Sequence, residues 1–169
     1  MPIMGIFTNI YINLRKTWQR FLTMMLVLLL CNGFMTYTPA VAANLSGDLS
    51  KQQVTEIAVS LGNTANELKF EPNHLEFEAG RRYKLKLNNP SAVKHYFTAK
   101  DFADAIWTQK VEAGKVEVKG AIHEVELKPG AVAEWVFIPL KSGNFSLRCT
   151  IPGHTEAGMT GDIVIQPLG

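Results

Sequence analysis

Hydrophobic and polar residues alternate along much of the chain beyond about residue 54. In Tyr83–Leu87, tyrosine and leucine occupy one face of an extended segment and two lysines occupy the other. Turn residues separate such segments, as at Asn88–Pro90 and Lys128–Gly130. Short alternating segments with turns between them are typical of all-β proteins. The predicted strands are Val54–Leu61, Glu67–Phe70, Leu75–Glu78, Tyr83–Leu87, Lys94–Thr98, His123–Leu127, Ala131–Ile138, Asn144–Cys149 and Gly161–Ile165.

One segment departs from this pattern. Between Asp101 and Gln109 the apolar residues recur near a helical period behind a capping aspartate, which predicts a short helix in a crossover connection. No internal repeat or long linker interrupts the chain after residue 53, so we expect one Greek-key β-sandwich over residues 54–169. Aromatic side chains are expected to fill much of its core: Phe97, Trp107, Trp135, Phe137 and Phe145.

The pattern of the first 42 residues predicts a signal peptide. Three basic residues precede the apolar run Phe21–Cys31, and small residues at Ala40–Ala42 suit a signal peptidase. Cleavage after Ala42 would leave 127 of the 169 residues, of which 43–53 form a flexible, polar lead-in. The protein is therefore expected to be exported, to the periplasm or the thylakoid lumen.

Two other interpretations of this segment stay open. Phe21–Ala43 could cross a bilayer as a retained anchor if Asn32 and Gly33 were tolerated within it, which would associate the protein with a membrane. A lipoprotein signal fits less well, because the bulky Leu30 precedes Cys31 where a small residue is usual.

Net charge and cysteine content limit the classes of partner and of chemistry that fit this chain. The leader carries three positive charges and no acidic residue, so the overall net charge of +2 becomes −1 for the remainder. A nearly balanced charge argues against nucleic acid as a partner. Exported proteins generally use cysteines in pairs, whereas Cys149 is alone after residue 42, which indicates a reactive or ligating thiol.

The segment Cys149–Gly161 carries the candidate chemistry. Cys149, His154 and Met159 follow the spacing C-x4-H-x4-M, and Met159 is the one methionine beyond residue 42. A thiolate, two imidazoles and a weak axial thioether are the donors of a blue-copper site, which accepts both Cu(I) and Cu(II). Zinc fits less well, because structural zinc sites favour four cysteine or histidine ligands.

The second imidazole must come from elsewhere in the chain. We expect it to be His95, which follows the Asn88–Pro90 turn and shares an inward strand face with Phe97. His74 lies in a turn-like context, and His123 lies opposite two glutamates, so both are expected to be surface histidines.

The pattern C-x-I-P-G-H-x3-G-M-x-G from Cys149 to Gly161 resembles the copper loop of the cupredoxins, and in particular its rusticyanin and auracyanin type. The resemblance implies a cupredoxin fold and one type 1 (blue) copper ion held by His95, Cys149, His154 and Met159. It also implies a monomeric one-electron carrier that meets redox partner proteins transiently. Many cupredoxins place Asn or Ser after the upstream histidine, whereas this chain has Tyr96, which makes the reduction potential hard to predict.

Copper delivery and catalysis are the two other classes of function. A copper buffer or delivery protein would use the same ligands, although the chain has no methionine-rich or histidine-rich tail to favour exchange. Catalysis is disfavoured, because four histidines cannot build a multicopper centre and no Gly-x-Ser-x-Gly elbow is present. We therefore expect no enzymatic activity.

Overall fold

The computed structural model describes residues 47–169 together with the single position Trp18. The predicted signal peptide, its membrane-anchor alternative and the first residues of the lead-in lie outside this range. Of the lead-in, Leu49–Lys51 forms a 3-10 turn that the side chain of Asp48 caps. None of the helices in the described part of the chain has the length and apolar character needed to span a membrane.

The described chain forms eleven strands and one short α-helix. In chain order they are β1 (Thr55–Leu61), β2 (Phe70–Glu71), β3 (His74–Glu78), β4 (Tyr83–Asn88), β5 (His95–Thr98), α1 (Lys100–Ala103), β6 (Ile106–Ala113), β7 (Val116–Val118), β8 (Glu124–Leu127), β9 (Val132–Pro139), β10 (Gly143–Arg148) and β11 (Thr160–Gln166).

Two sheets built from these strands pack into a β-sandwich. The first has the order β2-β1-β4-β9-β6-β7 and the second the order β3-β11-β10-β5-β8. Strand β1 runs parallel to β4, and β3 runs parallel to β11, while the other pairs are antiparallel. The predicted all-β Greek-key sandwich with one short helix is confirmed.

Alternation along the strands explains the core between the sheets. In β4, Tyr83, Leu85 and Leu87 are buried and the lysines between them face outward, as predicted. The largest fully buried side chains include Trp135, Phe97 and Phe137, also as predicted, while Phe145 is half-buried against this core.

The predicted helix over Asp101–Gln109 is wrong in its second half. Helix α1 ends at Ala103, and Ile106 begins the eight-residue strand β6, six residues of which pair with β9. Backbone hydrogen bonding to an adjacent strand outweighs a weak helical period, because strand pairing supplies partners for buried peptide groups of the segment.

The same strand overturns the expectation that Trp107 fills the core. Alternation turns Ile106 and Thr108 inward, so Trp107 faces outward and is 46% exposed. Strand β7, which pairs with the end of β6, was not predicted, and its three residues are all exposed at the sheet edge. The strand predicted over Glu67–Phe70 is shorter and later, at Phe70–Glu71.

The second sheet opens where the candidate site lies. Strand β5 begins with His95, and β10 ends at Arg148, one residue before Cys149. A single residue pair, Arg148 with Thr98, sets the register between these two strands. With this one pair in the ladder between β5 and β10, contacts that involve side chains supply further links between the segments that bear His95 and Cys149.

Candidate metal centre

The structure brings three of the four predicted site residues around one point. The ligand atoms of His95, Cys149 and His154 all lie within 4.8 Å of one another. Sγ of Cys149 lies 3.4 Å from Nδ1 of His154 and 4.0 Å from Nδ1 of His95. Both imidazoles therefore turn the same nitrogen toward the sulfur, and three donors so close together can share one ion.

The loop of residues 149–159 is held by its own hydrogen bonds. The N–H of Cys149 donates to the carbonyl of Met159 at 3.1 Å, and the N–H of Met159 donates to the carbonyl of His154 at 2.9 Å. The hydroxyl of Thr155 donates to the carbonyl of Cys149 at 2.7 Å. These bonds fix the spacing of the three predicted ligands before any ion arrives.

Most of the candidate site is buried, and the His154 ring is its partly exposed side chain. Cys149, His95 and Met159 are fully buried, whereas His154 is half-buried. Met159 is the last residue of this loop, and β11 starts at the next residue. A thioether, a thiolate and two imidazoles form a donor set of the type that copper prefers.

The electrostatic setting of His95 suits a metal ligand. Burial, with the neighbouring charge of His154 as the second cause, lowers the pKa of His95 below its ordinary value. The imidazole is therefore neutral near pH 7, and a neutral imidazole has a nitrogen lone pair that can bind a metal. The other nitrogen, Nε2, is buried without a hydrogen-bond partner among the described residues. The Cα of Gly62 packs so closely that a Cβ there would lie 2.9 Å from Nε2.

The sulfur of Cys149 receives a backbone hydrogen bond from the residue after His95. The N–H of Tyr96 lies 3.4 Å from Sγ. The Tyr96 side chain instead points to the outer face, where its hydroxyl donates to Glu126 and lies 3.2 Å from Nζ of Lys94. Tyr96 therefore contacts the site through its backbone, and its side chain does not join the two ligand segments.

Asn89 is a supporting residue whose role sequence reasoning missed. It is almost fully buried, and its amide donates to the carbonyls of Val93 and Leu127, both at 2.8 Å. These bonds anchor the loop that leads to His95. The Asn88–Pro90 turn was visible in the sequence, but the burial of this amide was not.

The two remaining histidines lie on the surface. His74 is exposed and binds Asp162 and Glu76 through its two ring nitrogens, and His123 is exposed and binds Asp104. Neither belongs to the cluster around Cys149. Their expected placement as surface histidines agrees with this geometry.

A family model, copper binding proteins of the plastocyanin/azurin family, matches residues 57–166. The chain belongs to this family. The match spans the whole sandwich and the 149–159 loop, and it agrees with the donor set found around Cys149. One copper ion is therefore the cofactor of this cupredoxin.

The chain is also similar to curated proteins and to a solved structure. The chain is 28% identical over 127 residues to the copper-resistant cuproprotein CopI of Rubrivivax gelatinosus, covering 71% of each protein. It is 23% identical over 145 residues to CopI of Pseudomonas aeruginosa, covering 68% of this chain and 80% of the relative. The reduced auracyanin of Roseiflexus castenholzii is 19% identical with a TM-score of 0.49, over 67% of this chain and 98% of that one.

Proposed function

We propose that this cupredoxin is a one-electron carrier in which His95, Cys149 and His154 bind copper and Met159 serves as the weak axial ligand. The convergence of three donor atoms within 4.8 Å, in a buried site with a neutral imidazole, is the observation that carries the proposal. When bound, copper supplies the one-electron Cu(I)/Cu(II) couple.

The chain's own residues suit that role in two ways. The hydrogen-bonded 149–159 loop holds the donors in place, so little rearrangement is needed between oxidation states. The half-buried His154 ring lies among small and apolar neighbours that could form a docking surface for a redox partner protein. These neighbours are Ile151, Pro152, Ala157 and Gly158. A small patch of this kind suits brief, weak encounters.

The proposal includes no enzymatic role. An electron carrier needs a single one-electron site, and the three-residue cluster is the one potential metal-binding group found in the described range. Export, to a periplasm or lumen, rests on the basic and apolar leader pattern of residues 1–42.

A copper buffer or delivery protein is the second candidate. The names of the CopI relatives associate those proteins with copper resistance, and a resistance protein could act by holding or handing over the ion. The ligands would be the same, so the two functions differ in how fast copper leaves the site.

The first experiment tests the site itself. Adding Cu(II) to the purified domain should produce an intense thiolate-to-copper band in the visible spectrum, and the Cys149→Ser variant should lose it. A wild-type protein that binds copper without such a band would contradict the proposed ligand set.

The second experiment separates the two functions. Copper that stays bound in the presence of a chelator, while the protein is oxidised and reduced reversibly, would support the electron carrier. Rapid transfer of copper to the chelator without unfolding would instead support delivery.

A further inference from the structure

A carboxylate on the outer face of the second sheet joins the two segments that bear the ligands. The hydroxyls of Thr98 and Thr150 both donate to the same oxygen of Glu124, at 2.6 and 2.7 Å, and lie 3.3 Å from each other. We infer that Thr98, Glu124 and Thr150, here called the threonine–glutamate cluster, are positioning residues that fix Cys149 relative to His95. This inference rests on the proposed copper site.

The sheet needs such a connection at this point. Only the pair of Arg148 with Thr98 sets the register of β10 against β5. Past that pair the backbone of β5 bonds to a sulfur acceptor, since the Tyr96 N–H donates to Cys149 Sγ at 3.4 Å. Because a sulfur acceptor is weak, side-chain bonds must supply most of the restraint between the two segments.

The position of the cluster makes it an effective restraint. Thr150 directly follows Cys149, and their side chains lie on opposite sides of the chain, since Cys149 is buried and Thr150 is exposed. Phe97 and Thr98 are related in the same way on β5, with Phe97 fully buried and Thr98 half-buried. A displacement of Thr150 on the outer face would therefore move the adjacent thiolate on the inner face.

Glu124 is itself well placed to hold both hydroxyls. It is the first residue of β8, and the register pairs it directly with Thr98 across the β5–β8 ladder. Hydrogen bonds to an ionised carboxylate are shorter and stronger than those between neutral groups. The threonine–glutamate cluster thus links the two ligand-bearing segments, which the Tyr96 side chain does not.

A neighbouring group on the same strand provides a matched control. Glu126, two residues along β8, accepts from the Tyr96 hydroxyl and from Lys94, so its bonds join β8 to the β5 segment alone. Glu124 and Glu126 are both exposed residues on the same strand face. Replacing either by alanine removes a carboxylate, but only Glu124→Ala releases Thr150.

The test compares copper-loaded and copper-free variants. Thr98→Val and Glu124→Ala should each weaken Cu(II) affinity about tenfold and change the relative intensities of the thiolate-to-copper bands. Thr98→Ser, which keeps the hydroxyl, should restore both properties, and Glu126→Ala should leave both unchanged. In the copper-free protein, a thiol reagent should modify Cys149 faster in Thr98→Val and Glu124→Ala than in Glu126→Ala.

The outcomes separate this inference from the proposed function. A wild-type protein without a thiolate-to-copper band would refute the copper site itself. A normal band together with equal affinity, equal band ratios and equal thiol reactivity in Glu124→Ala and Glu126→Ala would refute the positioning role alone. If Thr98→Val failed to fold, this pair of surface variants would still decide the question.

Discussion

Gly62 is the residue that most closely limits the position of His95. It has a positive φ of 74°, follows the last residue of β1, and its N–H donates to the carbonyl of Lys69 at 2.8 Å. A Cβ at this position would lie 2.9 Å from Nε2 and 3.3 Å from Cδ2 of the His95 ring. The imidazole is rigid and buried, so it could relieve that contact only by moving toward Cys149 or by tilting.

Gly62→Ala should therefore displace the His95 ring, in addition to straining its own backbone. We expect copper affinity to fall by about tenfold or more, because the displaced ring no longer meets the sulfur at the wild-type distance. Gly130→Ala is the matched control, since Gly130 has the same φ of 74° but nothing within 4 Å of its Cβ position. A competition titration with a chelator measures the affinity of both variants.

Both glycine variants should share one further effect. An alanine at positive φ costs on the order of 1 kcal/mol, so urea unfolding of both copper-free proteins should show at least that loss, and the loss should be larger in Gly62→Ala because of its contact with the His95 ring. If the two variants also bound copper equally well, the close contact between Gly62 and His95 would have no role in the site.

At the residue scale, the sequence allows a prediction where the candidate chemistry is concentrated in one segment. The ligand spacing of residues 149–159 is local, so Cys149, His154 and Met159 could be predicted as a group. The contacts of Gly62 and Glu124 with the site join residues distant in sequence, and no local pattern indicates them. Residue type alone does not show which glycine approaches a ring or which carboxylate bridges two hydroxyls.

At the scale of elements, the pairing of β3 with β11 supports the end of the 149–159 loop. The two strands run parallel, and His74 faces Asp162 at the start of the pair. Nδ1 of His74 lies 2.5 Å from Asp162, and Nε2 lies 3.1 Å from Glu76. Gly161 also packs tightly here, since a Cβ on it would lie 2.3 Å from the carbonyl oxygen of Asn73.

This strand pair should make the stability of the copper-free protein depend on pH. Hydrogen bonds to Glu76 and then to Asp162 raise the pKa of His74 above its ordinary value of 6.5. Because the folded state favours the protonated ring, the stabilisation is complete below about pH 6.5 and is lost as pH rises through the higher folded-state pKa.

Urea unfolding of wild type and His74→Gln across this pH range measures the effect. The difference in free energy of unfolding should be constant at acidic pH and should shrink as pH rises. Asp162→Asn, which leaves Glu76 in place, should retain part of the pH dependence. A difference between wild type and His74→Gln that did not change with pH would contradict this role for His74.

Strands β6 and β7 differ from the sequence-based prediction, whereas other strands agree with it. Strands such as β4 were predicted nearly to the residue, because their alternation reflects burial on one face. The first four residues of β6 were predicted as helix because Phe102, Ala105, Ile106 and Gln109 recur near a helical period, and a bulge between Thr108 and Lys110 interrupts the period of two in the strand. Strand β7 has three exposed residues, so it carries no burial pattern to detect.

At the scale of the whole molecule, the copper site joins distant parts of the sandwich. His95 begins β5, whereas Cys149, His154 and Met159 lie between β10 and β11. These parts are joined by one register pair and a few side-chain bonds, so a shared ion would act as a cross-link. An unfolded chain cannot assemble the same donor set, and binding should therefore stabilise the folded state.

Thermal unfolding of copper-free and copper-loaded protein tests this coupling. At free copper a thousand times the dissociation constant, the stabilisation should be about 4.1 kcal/mol, which raises Tm by about 10 °C or more for a domain of this size. Cys149→Ser should lose most of that increase, because the thiolate is the strongest donor of the site. Met159→Leu should retain most of it, because a thioether would be the weakest of the four proposed donors and leucine preserves the buried volume. An equal rise in Tm for wild type and Cys149→Ser would show that copper stabilises the protein from somewhere other than this centre.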